Sequence, residues 1–281
     1  SVTYAEGPAS VVQAVQDFLK ANPATVDVIG FHGQTVIHRP EIRLTVQLGD
    51  GSALAKRLAL PVVYDVRAND VATGGQGAPF VPVYHRALAA SVPERPLVFV
   101  NIGGVSNVTW IGSQGHMIAF DTGPGNAPLD DWALKHTGVA RDEDGKLAAT
   151  GTPKETIIDQ FLNQAFFKLP PPKSLDRDSF AALDLGALNA ADGAATLVEI
   201  IARAIAGAAS WVPEAPKAWI ICGGGRHNPT IMKALRKILP NMKPAEAYGF
   251  NGDSMEAEAW AYMAVRSMKK LPLSFPMTTK V

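Results

Sequence analysis

One continuous stretch, residues 97–126, constrains the fold of this chain more than any other. Its first apolar run stops at Asn101 and a Gly-Gly pair, a second run spans Val105 to Ile111, and a third, Met117 to Phe120, leads to Asp121. Short apolar runs bounded by glycine-rich turns are typical of buried strands. A Gly-Pro-Gly-Asn segment then begins a helix. We therefore predict three consecutive strands that place one carboxylate beside a row of free backbone amides.

This arrangement suits phosphate binding. Glycines let the main chain approach a phosphate closely, and the N-terminus of the following helix adds unpaired N–H groups and a partial positive charge. A carboxylate held there could act as a general base on a hydroxyl or on water. The alternative interpretation is structural, since Gly-Gly and Gly-Pro-Gly are common turns and Asp121-Thr122-Gly123 could form an Asx turn at a strand end.

The composition excludes several classes of function. The 281 residues are 47% hydrophobic and 19% charged, which is typical of a soluble chain with one large domain or two ordinary ones. The formal net charge is zero, so no basic excess favours a nucleic acid or an anionic membrane as partner. The single cysteine, Cys222, excludes an internal disulfide and thiol-based zinc sites. We therefore predict a cytoplasmic protein with no nucleic-acid partner and no membrane partner.

Strand and helix patterns alternate along the chain, which favours an α/β sheet with crossovers. Val26 to Phe31 is a nearly all-apolar run that we predict to be a short strand, and we predict Leu60 to Val66 and Ala218 to Cys222 to be buried strands. Apolar residues at steps of three and four between Leu197 and Val212 predict an amphipathic helix.

Polar side chains follow the first two of these strands. His32-Gly-Gln34-Thr35 follows the first, and Asp65-Val-Arg67-Ala-Asn-Asp70 with Gly74-Gly-Gln76-Gly-Ala-Pro79 follows the second as a predicted long polar loop. Loops at the C-terminal ends of strands carry function in open α/β sheets. Arg67 is either the partner of a neighbouring aspartate or a clamp for an anionic group of a substrate. His32 is either a hydrogen-bonded surface or core residue or a catalytic base.

A further glycine-rich corner follows the last predicted strand. Gly223-Gly-Gly225-Arg-His-Asn228 precedes a predicted helix, and three consecutive glycines before a capping Asn favour a nucleotide-binding corner over a plain turn. The final helix begins near Asp253-Ser-Met-Glu256, where the default role of Glu256 is the return arm of a capping box.

Together these motifs resemble those of the anhydro-N-acetylmuramic acid kinase family. In chain order, and over essentially the whole sequence, they are His32–Thr35, Asp65–Arg67 with Gly74–Pro79, Asn101–Gly104, Phe120–Asn126, Gly223–Asn228 and Asp253–Glu256. The resemblance implies an α/β, two-lobed sugar kinase/Hsp70/actin-like (ribonuclease H-like) fold that binds ATP between its lobes. Residues 1–95 plus 251–281 would form the first, sugar-side lobe, and residues 96–250 the second, nucleotide-side lobe with Asp121. Members of the family begin with a strand that carries a first phosphate loop, and this sequence starts beyond it, so the implied first lobe is N-terminally incomplete.

The resemblance also implies an activity. Such kinases use ATP, which carries Mg²⁺, to phosphorylate O6 of 1,6-anhydro-N-acetylmuramic acid while water opens the anhydro ring, giving N-acetylmuramic acid 6-phosphate in peptidoglycan recycling. One alternative is a catalytically inactive remnant or truncated chain that binds a nucleotide or a muramyl sugar. Another is a related sugar or acetate kinase with a different acceptor. The expected partners are the sugar and ATP, and a homodimer is possible.

The resemblance assigns the site residues to three groups, with no metal ligand among them. Asp121 is similar to the base that activates the water. The substrate contacts would be Arg67, His32, Gln34, Asp70, Gln76 and Asn107. The nucleotide contacts would be Asn101, Gly103, Gly104, Gly123, Gly125, Asn126, Gly223, Gly224, Gly225, Asn228 and Glu256.

Overall fold

The chain divides into two compact units. The computed structural model describes residues 3–22, 25–175, 184–186, 188–239 and 241–281, and of residues 3–10 the backbone alone. Unit 1 comprises Ser1–Tyr84 and Glu256–Val281, and unit 2 comprises His85–Met255. The lobe limits predicted from the sequence, 95/96 and 250/251, and the sugar-side and nucleotide-side roles of the lobes stay predictions.

Strands and helices alternate through most of the described residues, which confirms the predicted α/β class. The strands are β1 (Ile29–Phe31), β2 (Gln34–Arg39), β3 (Leu44–Leu48), β4 (Val62–Tyr64), β5 (Leu97–Ile102), β6 (Val105–Ile111), β7 (Met117–Pro124), β8 (Ala218–Cys222) and β9 (Met242–Pro244). The helices are α1 (Thr3–Ala21), α2 (Gly51–Leu58), α3 (Val66–Ala72), α4 (Pro82–Ala89), α5 (Asn126–Thr137), α6 (Lys146–Ala149), α7 (Glu155–Leu162), α8 (Ala165–Lys168), α9 (Ala190–Gly207), α10 (Pro229–Ile238), α11 (Met255–Met268) and α12 (Pro276–Thr279).

Unit 1 contains two small sheets. Strands β1 and β4 pair in parallel, and β2 and β3 pair antiparallel. Helix α11 packs directly on β1, because a Cβ on Gly30 would overlap the backbone carbonyl of Trp260. The core of the unit gathers around Trp260 with Phe80, Val83 and Met263. This packing brings the ends of β1 and β4, with their polar residues, into one unit.

Two predictions in unit 1 are wrong. The run Leu60 to Val66 contains the strand β4, but this strand is not buried, since Tyr64 is 45% exposed. The first half of the predicted polar loop is the helix α3, which begins directly after Asp65, whereas residues 73–79 form a loop as predicted. Asp65 has a φ of +54°, a left-handed conformation that aspartate tolerates better than most residues, and it turns the chain sharply from strand to helix. Arg67 and Asp70 are therefore held on a helix, which fixes their side chains more firmly than a loop would.

Unit 2 is built on a sheet whose described strands lie in the order β7-β6-β5-β8-β9. Strands β5, β6 and β7 form an antiparallel meander, and β8 joins β5 in parallel. Alternate residues such as Val100, Phe120 and Ile221 face a core that also contains Leu197 and Ile231 from two helices. The helices α5, α9 and α10 thus cover one face of the sheet, and residues of opposite parity lie on the other face.

Helix α9 is the central helix of unit 2, and the amphipathic helix predicted near residues 197–212 is confirmed there. Among the described residues, the segment Ala190–Trp211 is long and apolar enough to cross a membrane by length and composition alone. However, 67% of the window that meets this test is buried inside unit 2. Core helices of soluble proteins have the same character.

Strand β7 extends beyond the end predicted for it at Phe120. Asp121 pairs with Asn107 and Gly123 pairs with Ser106, so Thr122 is an extra residue that forms a β-bulge. The Thr122 hydroxyl donates to the Ser106 carbonyl oxygen at 3.1 Å, which holds the bulge on β6. The prediction failed because Asp, Thr, Gly and Pro are turn-forming residues, yet here they continue a paired strand. Asp121 therefore lies inside the strand and not at its end.

Candidate functional site

Four residues from separate sequence motifs form one row across the sheet of unit 2. Cys222 of β8 lies beside Asn101 of β5, Asn101 is opposite Asn107 of β6, and Asn107 is opposite Asp121 of β7. Residues that pair in this way point to the same face of a sheet. Strands lie about 4.8 Å apart, so Asn101 and Asp121 are separated by about 10 Å. We call Cys222, Asn101, Asn107 and Asp121 the polar row.

Two glycine-containing loops meet at the end of β5. The Asn126 amide donates to the carbonyl oxygen of Gly103 at 2.6 Å, and the Gly125 amide donates to that of Gly104 at 3.0 Å. The side-chain amide of Asn126 also donates to the Ile102 carbonyl oxygen at 3.4 Å. The structure therefore brings the Asn101–Gly104 turn and the Gly123–Asn126 turn together.

The triple-glycine corner packs against the same strand end. A Cβ on Gly223 would overlap the side-chain oxygen of Asn101, and a Cβ on Gly225 would overlap the Ile102 side chain. These glycines are required because the two chain segments approach so closely. Three of the predicted nucleotide motifs thus form one corner, which we call the glycine corner: residues 101–104, 125–126 and 223–225.

Two glycines of this corner leave space for a ligand. Gly104 is exposed, and the nearest atom to a Cβ built on it is the Ala127 Cβ, at 3.5 Å. For Gly224 the nearest atom is the side-chain nitrogen of Asn126, at 3.7 Å. Gly123 differs, because its Cβ would face Ala204 of α9 on the helix-covered side. The structure therefore does not bring Gly123 to the open side of the corner.

A cavity of about 390 Å³ opens beside the corner. It is lined by Asn126, Leu129, Asp130, Arg141, Asp142, Glu143, Asp144, Gly224, His227 and Asn228. Its volume falls in the range of small-molecule sites, about 300–1,000 Å³. Asn228 caps α10 as predicted, since its side-chain oxygen accepts from the Thr230 amide at 3.0 Å and the Ile231 amide at 3.1 Å. Asn228 thus contributes to the wall of the cavity while its side-chain oxygen is engaged in the cap.

Arg226 ties the triple-glycine segment to residues 246–253, and the sequence reasoning missed it. Its guanidinium group contacts Glu246 at 2.8 Å and Asp253 at 2.9 Å, and it donates to the Gly223 carbonyl oxygen at 3.0 Å. Asp253 also lies 2.9 Å from the ring of His227. Hydrogen bonds from His227 and then from Arg226 lower the pKa of Asp253. An arginine directly after three glycines was the available signal.

The capping box predicted for Asp253 and Glu256 stays a prediction. Just before α11 begins, the side-chain oxygen of Asn251 accepts from the amides of Asp253 and Ser254 at 3.0 and 3.2 Å. The carboxylate of Asp253 is engaged by Arg226 and His227. Glu256 is exposed and belongs to unit 1, so its assignment to the nucleotide stays a prediction.

Asp121 is held by a backbone segment that the sequence did not point to. The Asp121 amide donates to the Lys173 carbonyl oxygen at 2.9 Å, and the Leu175 amide donates to Asp121 Oδ2 at 2.7 Å. The Asp121 side chain is only 7% exposed. We call residues 173–175 the strap. The polar, proline-rich sequence of residues 135–190 predicts helices joined by a substrate-facing excursion, without indicating a contact with Asp121. Residues 176–183 and 187 of this region lie outside the described residues.

In unit 1, Arg67 joins the two predicted polar segments. Its Nε donates to His32 Nε2 at 3.1 Å, and its Nη1 donates to the Gly77 carbonyl oxygen. The His32 ring also lies 4.3 Å from the Trp260 ring. Arginine can only donate, so His32 is the neutral tautomer with its proton on Nδ1. Burial, and then the charge of Arg67, lower the pKa of His32 to about 4.

Asp70 shapes the glycine-rich loop from inside unit 1. It is 4% exposed, and its carboxylate accepts from the Gly77 amide at 2.7 Å and from the Thr279 hydroxyl at 2.8 Å. The Gln76 amide donates to the Thr279 carbonyl oxygen at 2.6 Å. The structure therefore brings Arg67, His32, Asp70 and the loop of Gln76 together. Gln34 is exposed at the start of β2, and its side chain donates to the Thr35 carbonyl oxygen at 3.4 Å.

The sequence comparisons with known proteins agree on one family. The sequence model of the family "Anhydro-N-acetylmuramic acid kinase" matches residues 5–281. The chain is 53% identical to the anhydro-N-acetylmuramic acid kinase of Paramagnetospirillum magneticum over 274 residues, which cover 95% of this chain and 77% of that protein. It is 54% identical to the enzyme of the same name from Nitrobacter winogradskyi, over 95% of this chain and 75% of that protein. A solved ROK family glucokinase from Streptomyces griseus, in complex with glucose and AMPPNP, is 15% identical over 92% of this chain and 88% of that chain, with a TM-score of 0.45.

Proposed function

Because this chain belongs to the anhydro-N-acetylmuramic acid kinase family, we propose that it uses ATP to open the ring of 1,6-anhydro-N-acetylmuramic acid and to phosphorylate the freed O6. The chain is a kinase, a transferase of carbohydrate metabolism. The product would be N-acetylmuramic acid 6-phosphate, formed in the cytoplasm during peptidoglycan recycling. The polar row carries the proposal, since it aligns one carboxylate with the glycine corner on a single face of the sheet.

The glycine corner has the properties that a nucleotide requires. The open backbone at Gly104 and Gly224 allows phosphate oxygens to approach the main chain. The predicted row of free amides is not found at the start of α5, because the amides of Gly125, Asn126 and Ala127 donate to the carbonyl oxygens of Gly103 and Gly104. The adjoining cavity is large enough for the base and ribose. We therefore place the phosphates at Gly103 and Gly104 and the nucleoside beside Gly224 and His227.

Mg²⁺ would arrive with the nucleotide. Within the described residues no group of three or more His, Cys, Asp or Glu side chains could hold a metal ion. Mg²⁺ usually keeps several waters and binds substrate phosphates together with one or two carboxylates, so a site without a protein cage fits it. When bound, the ion neutralises charge on the transferred phosphoryl group.

The separation between the corner and Asp121 leaves space for the sugar. About 10 Å lie between Asn101 and Asp121 along the row, and Asn107 lies between them. A phosphate at the corner and a base at Asp121 would therefore reach different atoms of one bound sugar ring. We assign Asn107 as a contact of that sugar. Arg67, on α3 of unit 1, is a planar donor of the kind that binds carboxylates, and we keep it as a proposed substrate contact.

In the proposed reaction, Asp121 accepts a proton from a water molecule whose oxygen bonds to C1 of the sugar. The bond between C1 and O6 breaks, and O6 forms a bond to the γ-phosphorus of ATP. The bond from that phosphorus to the β–γ bridging oxygen breaks, which releases ADP, and Asp121 later returns its proton to solvent. One carboxylate suffices, because the departing O6 gains a phosphoryl group, whereas glycosidases protonate the departing oxygen with a second carboxyl group.

Asp121→Asn tests the proposal directly. We expect kcat for ADP release with the anhydro sugar to fall by about 10²- to 10⁴-fold, because the amide cannot accept the proton, while ATP binding persists. Asp159→Asn, at an exposed position of α7, is the matched control and should keep the wild-type rate. Normal turnover by Asp121→Asn would refute the role of Asp121. A wild-type chain that binds the sugar without any ADP release would instead be a binding protein.

A further inference from the structure

We propose that Lys173 is a positioning residue for Asp121, because its buried ammonium group anchors the strap that orients the Asp121 carboxylate. This inference rests on the proposed function, in which Asp121 is the base. It concerns a residue outside the polar row and outside the glycine corner.

The strap fixes Asp121 at two points. The Lys173 carbonyl oxygen accepts from the Asp121 amide at 2.9 Å, and the Leu175 amide donates to Asp121 Oδ2 at 2.7 Å. Strand β7 is the end strand of the sheet order, so the strap supplies hydrogen bonds on the side that β6 does not occupy. A hydrogen bond to one carboxylate oxygen restricts rotation of the whole group. Misplacement of a reacting group by about 1 Å can cost about 100-fold in rate, so such restriction matters.

The side chain of Lys173 anchors the strap beneath β7. Lys173 is 8% exposed, and its Nζ donates to the Phe166 carbonyl oxygen at 3.0 Å. The same nitrogen lies 4.6 Å from the ring centroid of Phe166, 5.1 Å from that of Trp211 and 5.8 Å from that of Phe120. Distances within about 6 Å allow attraction between the cation and each aromatic ring. Lys173 therefore sits in an aromatic cage made by three separate chain segments.

The cage connects Lys173 to Asp121 through a single strand. Phe120 is adjacent to Asp121 and faces the helix-covered core, while Asp121 faces the polar row on the other side. The ammonium group and the carboxylate thus lie on opposite faces of β7, and the strap backbone links them around its edge. A direct charge interaction is not needed, because the backbone hydrogen bonds transmit the position of the anchor.

The burial of a lysine here is costly, which argues against a purely incidental placement. Burial lowers the pKa of Lys173 to about 8, since the charged form loses contact with water. A methionine of similar length would fill the same cage without that cost. What methionine lacks is the hydrogen bond to Phe166 and the attraction to the rings, and these are the interactions that define where the strap lies.

Lys173→Met tests the anchor while keeping most of its volume. We expect kcat to fall about 10- to 100-fold. The KM for ATP should change less than about twofold, because the hydrogen bonds described for the strap reach Asp121 and Phe166 and not the residues of the glycine corner. The acidic limb of the kcat profile should move to higher pH, since a weaker hydrogen bond from Leu175 stabilises the ionised carboxylate less. A merely structural role would not move that limb. Lys173→Arg should recover part of the rate, because it retains a cation and its donors.

The matched control is Lys168→Met, which removes an exposed lysine from the neighbouring helix α8 and should leave kcat and the acidic limb unchanged. If Lys173→Met does not fold, Leu175→Pro provides a second test, because proline lacks the N–H that binds Asp121 Oδ2. It should produce the same fall in kcat and the same shift of the acidic limb.

The outcomes separate this inference from the proposed function. Suppose that Asp121→Asn is inactive in the same assay, but Lys173→Met or Leu175→Pro keeps the wild-type kcat and the wild-type acidic limb of the pH profile. The positioning role of Lys173 is then wrong, while the role of Asp121 as the base stands. If Asp121→Asn retains full turnover, the proposed function itself fails. A fall in kcat that only matches a loss of folded protein, with no shift of the limb, also overturns the positioning role.

Discussion

The backbone of Gly125 lies so close to the carbonyl oxygen of Gly103 that no side chain fits between them. The next residue, Asn126, donates its amide hydrogen to that same oxygen at 2.6 Å. This contact joins the end of β7 to the end of β5 and thereby forms half of the glycine corner. Gly125 is therefore required by the packing of the corner, independently of any ligand.

Gly125→Ala should destabilise unit 2 and weaken ATP binding. The new methyl group would overlap a backbone carbonyl, which cannot move aside as a side chain could, so we expect a loss of about 1–3 kcal/mol in the free energy of unfolding. Urea unfolding measures the loss, and calorimetric titration with ATP measures the binding.

Gly104→Ala separates packing from ligand contact at the same corner. Its Cβ would lie 3.5 Å from Ala127, an ordinary contact, so the free energy of unfolding should change by no more than about 0.5 kcal/mol while ATP binding weakens. Equal stability of Gly125→Ala and the wild type would contradict the packing argument.

The stability of unit 2 should depend on pH through His85. The ring is 1% exposed, stacks on Phe99 at 4.5 Å and lies 2.8 Å from the Thr109 hydroxyl. Burial lowers the pKa of His85 from 6.5 to about 3, so between these values the unfolded chain binds more protons than the folded one. The stabilisation is therefore complete above about pH 6.5 and is lost as the pH falls towards 3.

His85→Gln should flatten this dependence. Glutamine does not titrate, so the decline in the free energy of unfolding on acidification should be smaller by a few kcal/mol at most, given about 1.4 kcal/mol per pKa unit. Chemical unfolding at a series of pH values measures it, and His116→Gln, at an exposed position, is the control. If the free energy of unfolding of His85→Gln falls as steeply on acidification as that of the wild type, groups other than His85 cause the pH dependence.

Arg67→Met should raise the pKa of His32 without restoring its ordinary value. Burial is the larger cause of the lowered pKa and persists in the variant, whereas the charge of Arg67, the second cause, is removed. The pKa should therefore lie between about 4 and 6.5, as measured by NMR titration of the ring.

Arg39→Gln is the control for this measurement, since Arg39 is exposed and pairs with Glu41. A His32 pKa that remains near 4 in Arg67→Met would mean that Arg67 contributes nothing. A value near 6.5 would mean that burial does not hold the ring neutral.

The sequence identified the parts of the site that are local in the chain. Apolar runs next to glycines predicted β5, β6 and β8 and the turns after them, because a strand end and its turn are encoded by neighbouring residues. The capping role of Asn228 was predictable for the same reason. Asp121 and Arg67 were also candidates from the sequence alone, because each follows a predicted strand next to glycine-rich or polar residues, and the family motifs include both.

Other features depend on contacts between residues far apart in sequence, and no local pattern encodes them. Lys173 reaches Asp121 only through the fold, and Arg226 meets Glu246 and Asp253 in the same way. The helix α3 was mistaken for a loop because its polar residues are held by partners elsewhere in unit 1, such as Thr279 for Asp70. The polar row itself follows from strand register, which single-strand patterns do not fix.

Thr122 reverses the odd–even order of side chains along β7. Without the bulge, Asp121 and Gly123 would point to the same face of the sheet, because side chains alternate along a strand. The extra residue shifts this alternation, so Gly123 is directed towards Ala204 while Asp121 faces Asn107. A single inserted residue thus lets two positions in close succession serve unrelated purposes, one chemical and one architectural. Substitutions at Gly123 should accordingly disturb the packing against α9, and substitutions at Asp121 should change the rate of the reaction.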